Sequence, residues 1–343
     1  MAARDIRCFI SHITDPFLNL AVEEWLFRTT PVHSHVLLLW RNTPTVVIGR
    51  NQNQWKECNV HALEADNIPW VRRKSGGGTV YHDLGNSIYS IIEPRESFTR
   101  RKNAELVTRA LHHLDVPAAV NDRHDIVVDG RKVSGSAFKL TSRRAYHHGT
   151  MLIDANLTSL RKYLKIDRPR LVTKGVPSVP SPVTNLREFS MTVDHTGFCE
   201  AVVDEFRRAH DLGYLKPEVI DPSIVDTEPH VKAALEELTS DEWRLGQTPE
   251  FTHEIYLDQA ILNVHCRGGQ VTAASCQWTT LPDDLFAAGL EDFTQCLIGQ
   301  WYHPKSLQGA WTRFVTMQNG AIQETHPTMV ELRQFVHRLA AEL

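Results

Sequence analysis

At 343 residues, 42% of them hydrophobic, the chain is long enough for one substantial core and a second, smaller one. Its formal net charge of −4, with basic residues clustered only locally at Arg100-Arg101-Lys102 and Arg143-Arg144, argues against broad nucleic-acid binding. No apolar run approaches the roughly 18 residues that a membrane span needs, the six scattered cysteines build no disulfide framework, and Met1 to His12 lacks a signal-peptide core, so a cytoplasmic protein without membrane association is expected.

In chain order, Asp15-Pro16 offers an N-cap and a first-turn proline to a helix whose Leu18, Val22 and Trp25 share one face. Val36 to Arg41 and Thr45 to Arg50 read as adjacent strands joined by Asn42-Thr43-Pro44. A glycine-rich run, Arg72 to Asn86, feeds an apolar strand from Ser87 to Ile92, and Asn103 to Leu114 reads as a helix with Leu106, Ala110 and Leu114 inward. Asp129-Gly130 between two valine-rich runs is a strong hairpin signal, because glycine accepts the positive φ of a tight turn. On the returning strand Lys132, Ser134 and Ser136 are expected on one face and Val133 and Ala137 on the other. Phe198 to His210 gives another helix. The prolines at 177, 180 and 182 predict an ordered but irregular connection between Lys174 and Thr184. A boundary falls near Gly246-Gln247-Thr248-Pro249; beyond it come strands at Ile255 to Arg267 and Gln270 to Trp278, a Gly268-Gly269 turn, and helices at Pro282 to Gly299 and Thr328 to Leu343. The alternation is that of an α+β protein.

Two segments carry chemistry. In Arg72-Arg73-Lys74-Ser75-Gly76-Gly77-Gly78-Thr79-Val80-Tyr81, three glycines free the backbone to form a nest of N–H donors, and the two arginines offer bidentate contacts to phosphate. A flexible hinge beside solvated charges is the plainer alternative. The loop is no P-loop, since Gly130 to Gly135 is followed by Ser136-Ala137, and no dinucleotide fingerprint, since Tyr81 stands where a third glycine is required. A G-x-S-x-G elbow does not occur. The second segment is the hairpin with Lys132, which on its own reads as a solvent-facing edge lysine. His82-Asp83 and His147-His148 invite a zinc site, but adjacent histidines on a strand point to opposite faces. Asp125 is a candidate to assist Mg²⁺, with the full ligand set left unassigned.

Arg72-Arg73-x-Ser75-Gly76-Gly77-Gly78-x-Val80-x-His82-Asp83-x-Gly85-Asn86, Gly130-Arg131-Lys132-Val133-Ser134-Gly135-Ser136-Ala137 and His147-His148-Gly149-Thr150 together resemble the signatures of lipoate-protein ligase A. Asp15 to Glu24, Leu39 to Asn42, Val46 to Asn59, Lys174-Gly175, Ser178-Val179, Val183 to Leu186 and Glu242-Trp243-x-x-Gly246-Gln247-x-Pro249-x-Phe251 are similar to the same family, so the likeness covers most of the chain. One departure is His124, where the pattern has asparagine. The resemblance implies a catalytic biotin/lipoate ligase-like domain of mixed β-sheets flanked by helices at residues 1–246, and a small α+β accessory domain at 247–343. It also implies an ATP-dependent ligase that makes lipoyl-AMP and then acylates a lysine of lipoyl domains, on E2 subunits of 2-oxoacid dehydrogenases and on the glycine cleavage H protein. Lys132 matches the catalytic position. Arg73, Gly78, Thr79, Val80, Tyr81 and Lys132 match the ATP site, and Lys132, Arg72, Ser75, Gly76, Gly77, Asn86 and His148 match the lipoate or lipoyl-AMP site. ATP with Mg²⁺ and lipoate are the expected small molecules, in the cytoplasm or, for a eukaryotic protein, the mitochondrial matrix. Trp40, Val47 and Val80 are candidates for the apolar tunnel. The competing functions are a lipoyl or octanoyl transferase that needs no ATP and a non-catalytic binding module.

Overall fold

The computed structural model describes residues 5–318 and 325–343, apart from 165, 167 and 258. The chain forms two compact units, one comprising Met1–Arg50, Glu57–Lys165 and Pro177–Ser240, the other Asn51–Lys56, Ile166–Val176 and Asp241–Leu343. The architecture is mixed α+β, as the sequence implies.

The first unit is built on a six-stranded sheet, in the order Ser136–Leu140, Arg144–Leu152, Asn86–Pro94, His35–Arg41, Ile6–Ser11 and Glu218–Ile220. The first four strands pair antiparallel and the last two join in parallel. Alternation along Asn86–Pro94 puts Tyr89 and Ile91 on one face with Leu37 and Leu39, where Leu106, Ala110, Phe198, Val202 and Phe206 of helices Arg100–His112 and His195–Ala209 complete the main core. The opposite face carries Trp40, Asn86, Ser90, Tyr146, His148 and Thr150 by the same register. Helix Pro16–Thr29 lies on that side, held there by contacts such as Phe27 against Tyr146. Its start is as expected: the Asp15 carboxylate accepts the Leu18 N–H at 2.8 Å.

Thr45–Ile48 is a strand, yet it does not extend the main sheet beside His35–Arg41. It sits in a separate three-stranded sheet between Trp70–Arg72 and Val80–His82. A connection as short as Asn42-Thr43-Pro44 is no guarantee of pairing, because proline has no N–H for a ladder. A third sheet contains Ala119–Val120, Ile126–Val128 and Arg131–Lys132. Its hairpin pairs Val127 with Lys132 and Val128 with Arg131, and Asp129 and Gly130 both have positive φ, at 48° and 73°. The returning strand is not continuous: it ends at Lys132 and a new one begins at Ser136, in the six-stranded sheet. Lys132 and Ser136 therefore belong to different sheets rather than to one face.

In the second unit, strands Leu171–Thr173, Phe251–Leu257, Ala260–Arg267 and Gln270–Trp278 form an antiparallel sheet. What reads in sequence as one strand beginning at Ile255 is two, meeting at Leu257 and Ala260. The Gly268-Gly269 turn is present, with φ of 56° and 71°. Helices Asp284–Leu297 and Pro327–Glu342 are joined by a third, Pro304–Met317, whose Trp311 and Phe314 pack on Phe293.

Candidate active site

The glycine loop is built on a buried cation. Arg73, 3% exposed, directs Nε to the Ser75 hydroxyl at 2.9 Å and the Gly76 carbonyl at 3.1 Å. Its Nη2 reaches the carbonyls of Gly76 and Gly78 at 2.6 and 2.7 Å, and Nη1 that of Val47 at 3.1 Å. Burial pulls its pKa down to about 10 against the opposing pull of Tyr146 and Glu23, so it stays charged at neutral pH. Arg72, fully buried, donates to the carbonyls of Gly49 and Arg50 at 3.3 and 3.2 Å. Both guanidiniums thus point at backbone oxygen, and this differs from the phosphate fork that their sequence position suggests. Arg73 thus draws the carbonyls of Gly76 and Gly78 inward and fixes the shape of the loop. Gly77 has φ +85°, and a Cβ there would come within 2.9 Å of Arg73 Nη2 and 3.2 Å of Ala137 Cβ. The Gly76 N–H donates to the Phe138 carbonyl at 3.3 Å, so the loop lies against the strand Ser136–Leu140.

Ser75 and His148 are brought together. Ser75 Oγ is 2.9 Å from His148 Nε2, and His148 Nδ1 is 2.9 Å from a Glu23 carboxylate oxygen, with Glu23 buried. A Glu23–His148–Ser75–Arg73 chain therefore runs from helix Pro16–Thr29 to the loop. Asn86 lies on the same sheet face, fully buried, with neither carboxamide atom partnered. Trp40 Nε1 and Ser90 Oγ on that face are buried without partners too, and beside them burial together with Glu23 and Glu24 pushes the Tyr146 hydroxyl well above its usual range. Buried polar groups are rarely left unpaired. Here they mark a polar-studded wall suited to a partly polar ligand. Val47 is buried in the small sheet, and Val80, half-buried, begins a strand that continues through Tyr81, whose ring packs 5.6 Å from Tyr163.

Lys132 stands at the end of the hairpin, its side chain 22% exposed and its ammonium 2.7 Å from Asp125 Oδ1. The proline-rich segment passes beside it: the Lys132 N–H donates to the Pro182 carbonyl at 2.9 Å and the Thr184 N–H donates back at 3.1 Å. The same segment touches the glycine loop, where Ser178 Oγ accepts the Thr79 N–H at 2.9 Å and itself donates to Glu57. A Cβ on Gly78 would meet Ser178 Oγ at 3.1 Å. Residues 178–184 thus strap the loop to the lysine hairpin.

Other sequence candidates have structural surroundings. His82 Nδ1 pairs with the Asn42 carboxamide at 2.9 Å, and burial pushes its pKa down to about 3. Asp83 accepts the N–H groups of Gly85 and Asn156. His147 points away from His148, toward Ser136 Oγ at 3.0 Å and the Phe138 ring. No group of three metal-ligating side chains occurs among the described residues. Glu23, Ser178 and Glu57 complete this geometry but give no signal by spacing, since Glu23 and His148 are 125 positions apart. His124 sits at φ +63° beside Asp125, its Nδ1 buried and unpartnered.

Residues 15–207 match the model of the lipoyl protein ligase A/B catalytic domain. A lipoate-protein ligase A from Psychrobacter cryohalolentis is 41% identical over 254 residues, which span 73% of this chain and 75% of that protein. Among solved structures, Plasmodium falciparum LipL1 in complex with lipoate superposes with a TM-score of 0.63 at 24% identity, covering 96% of this chain and 99% of that one. A lipoate-protein ligase A bound with ATP gives 0.59 at 22% identity over 70% and 98% of the two chains. A bi-partite lipoate protein ligase studied with its E2 lipoyl domain, from Thermoplasma acidophilum, gives 0.60 at 20% identity over 71% and 98%. With its glycine loop, lysine hairpin and histidine wall set within the matched span, the chain belongs to the lipoyl protein ligase A/B catalytic domain family of enzymes.

Proposed function

We propose that this enzyme is an ATP-dependent lipoate-protein ligase. A lipoate carboxylate oxygen attacks the α-phosphorus of ATP, pyrophosphate leaves, and lipoyl-AMP forms. An acceptor lysine amine then attacks the lipoyl carbonyl, the amide forms, and AMP departs. The observation that carries this reading is a glycine loop braced by buried Arg73 and strapped through residues 178–184 to the hairpin of Lys132, whose partly exposed ammonium pairs with Asp125. Lys132 stabilises the negative charge that builds on the phosphate in the first step and on the tetrahedral oxyanion in the second. Gly76, Gly77, Gly78, Thr79, Val80 and Tyr81 receive the nucleotide, with Arg72, Arg73 and Ser75 fixing the loop. Asn86 and His148 bound the lipoyl end, and Trp40 and Val47 line its apolar tail.

Mg²⁺ would be held chiefly by phosphate oxygens and water, with Asp125 as the one protein carboxylate beside Lys132. The ion would neutralise phosphate charge. The acceptors are lipoyl domains of 2-oxoacid dehydrogenase E2 subunits and the glycine cleavage H protein, the compartment is the cytoplasm, and residues 247–343 act as the accessory domain. A transferase working through a covalent thiol is disfavoured: all cysteines but Cys276 are buried, and burial pushes the thiols of Cys8, Cys199 and Cys276 up to about 12.

The deciding experiment incubates the protein with free lipoate and an apo lipoyl domain, with and without ATP. Acylation that requires ATP is expected. Transfer only from added lipoyl-AMP or an octanoylated protein would mean a transferase, and binding without turnover would mean a non-catalytic module.

A further inference from the structure

The face of the six-stranded sheet turned away from His148 holds a second opening. On strand His35–Arg41, Trp40 lies on the His148 side, so the next residue, Arg41, lies on the other, opposite Ser87. Ser87 Oγ is 2.7 Å from His195 Nδ1, at the start of the helix that packs on that face. Ile10, Ile13, Thr14, Arg41, His195 and Thr196 line a cavity of about 350 Å³ there. We propose that this cavity binds a short-chain aliphatic monocarboxylate, the carboxylate on Arg41 and the hydrocarbon against Ile10 and Ile13.

Three observations lead to that ligand. First, among the described residues the Arg41 guanidinium has no hydrogen-bond or ion-pair partner, whereas the half-buried Arg187 and Arg207 each have one. A planar guanidinium presents paired donors that match a carboxylate. Second, Arg41 is the one arginine or lysine among the described residues that line the cavity. Burial and Arg41 push the His195 imidazole down to about 4, opposed by Asp194, so it is neutral at pH 7, and Glu200 stands at the rim. One cation facing one carboxylate disfavours a dianionic phosphate. Third, the volume lies near the lower bound of small-molecule sites, about 300 Å³, and its walls combine isoleucine methyls with the Thr14 and Thr196 side chains. That mixture fits a few carbons ending in a carboxylate.

The test is a titration of the full-length protein with butyrate, and separately with inorganic phosphate, read by imidazole NMR. The signals of His12 and His195 are identified with His12→Gln and His195→Gln. Butyrate is expected to shift both saturably, phosphate at equal concentration to shift neither, and Arg41→Gln to weaken butyrate binding at least about tenfold. Because Arg41→Gln could disturb the strand end, a second variant, Thr196→Glu, places a competing carboxylate at the rim where an acid suits the helix start; it too should weaken butyrate binding. The proposal is overturned if butyrate leaves both signals unmoved, if it moves only His148, if phosphate alone moves them, or if folded Arg41→Gln and Thr196→Glu proteins bind butyrate as the parent does.

Discussion

The glycine loop and the lysine hairpin each hold a cation, and they hold it in opposite ways. Arg73 is sealed beneath its loop with its donors on carbonyl oxygens, so its charge shapes the backbone. Lys132 reaches partial exposure at the end of a two-residue strand and pairs its ammonium with Asp125. A buried charge that shapes the backbone and a partly exposed one at a strand end look alike in sequence. Burial and the identity of the acceptor tell them apart.

Substitution can break that contrast. The largest effect is expected for Lys132→Ala, which should lower lipoate-dependent pyrophosphate release by about 100- to 1,000-fold, or about 2.7–4 kcal/mol, while leaving the denaturation midpoint where it was. A folded Lys132→Ala protein with near-normal turnover would remove the hairpin from the chemistry. Arg73→Lys should do the reverse of this division, costing stability first. An ammonium cannot reproduce the fork across Ser75, Gly76, Gly78 and Val47, and losing charge-assisted bonds of about 1.5–3 kcal/mol each should move the urea midpoint clearly downward. An unchanged midpoint with impaired ATP binding would instead make Arg73 a direct nucleotide ligand.

Gly77→Ala probes the same loop more gently. Its left-handed φ alone costs a residue with a Cβ about 1–2 kcal/mol, and the added methyl meets Arg73 and Ala137. Stability and ATP affinity should fall together; a fall in stability alone would mean that the loop's shape is not what the nucleotide reads. The smallest effect separates the two histidine neighbours. Burial holds His147 at about 3, below its unfolded value near 6.5, so the unfolded chain binds the extra proton between those limits. Stability should therefore rise with pH across that window, with this residue contributing at most about 1.4 kcal/mol per pH unit. His147→Gln should flatten the slope between pH 4 and 6 in urea titrations, and an unaltered slope would show that the ring is protonated in the native state.

Much of the site was legible because its signals are local. Three glycines, a positive-φ turn at Asp129-Gly130 and an N-cap at Asp15 each depend on residues within a few positions, and each appears in the fold. What was hidden depends on partners distant in sequence. Nothing near His148 announces Glu23, and nothing around Ser178 announces Thr79. The switch of sheets between Lys132 and Ser136 escapes a period-two reading, because Val133 and Ser134 are both buried, one in the main core and one beside the Tyr89 hydroxyl. Likewise Thr45–Ile48 has the composition of a strand in either sheet, and only its partners at Trp70 and Val80 decide which. The arginine pair was found by its chemistry, but its direction was set by the carbonyls of Gly49, Arg50, Gly76 and Gly78.

The stretch from Ser178 to Thr184 is stitched at one end to Thr79 and at the other to Lys132. Its spacing is thereby a measured quantity: an inserted or deleted residue would shift one stitch relative to the other, whatever its side chain. Over evolutionary time the individual prolines can be exchanged more freely than their number of intervening peptides, and a library that varies this stretch should vary letters while holding its length.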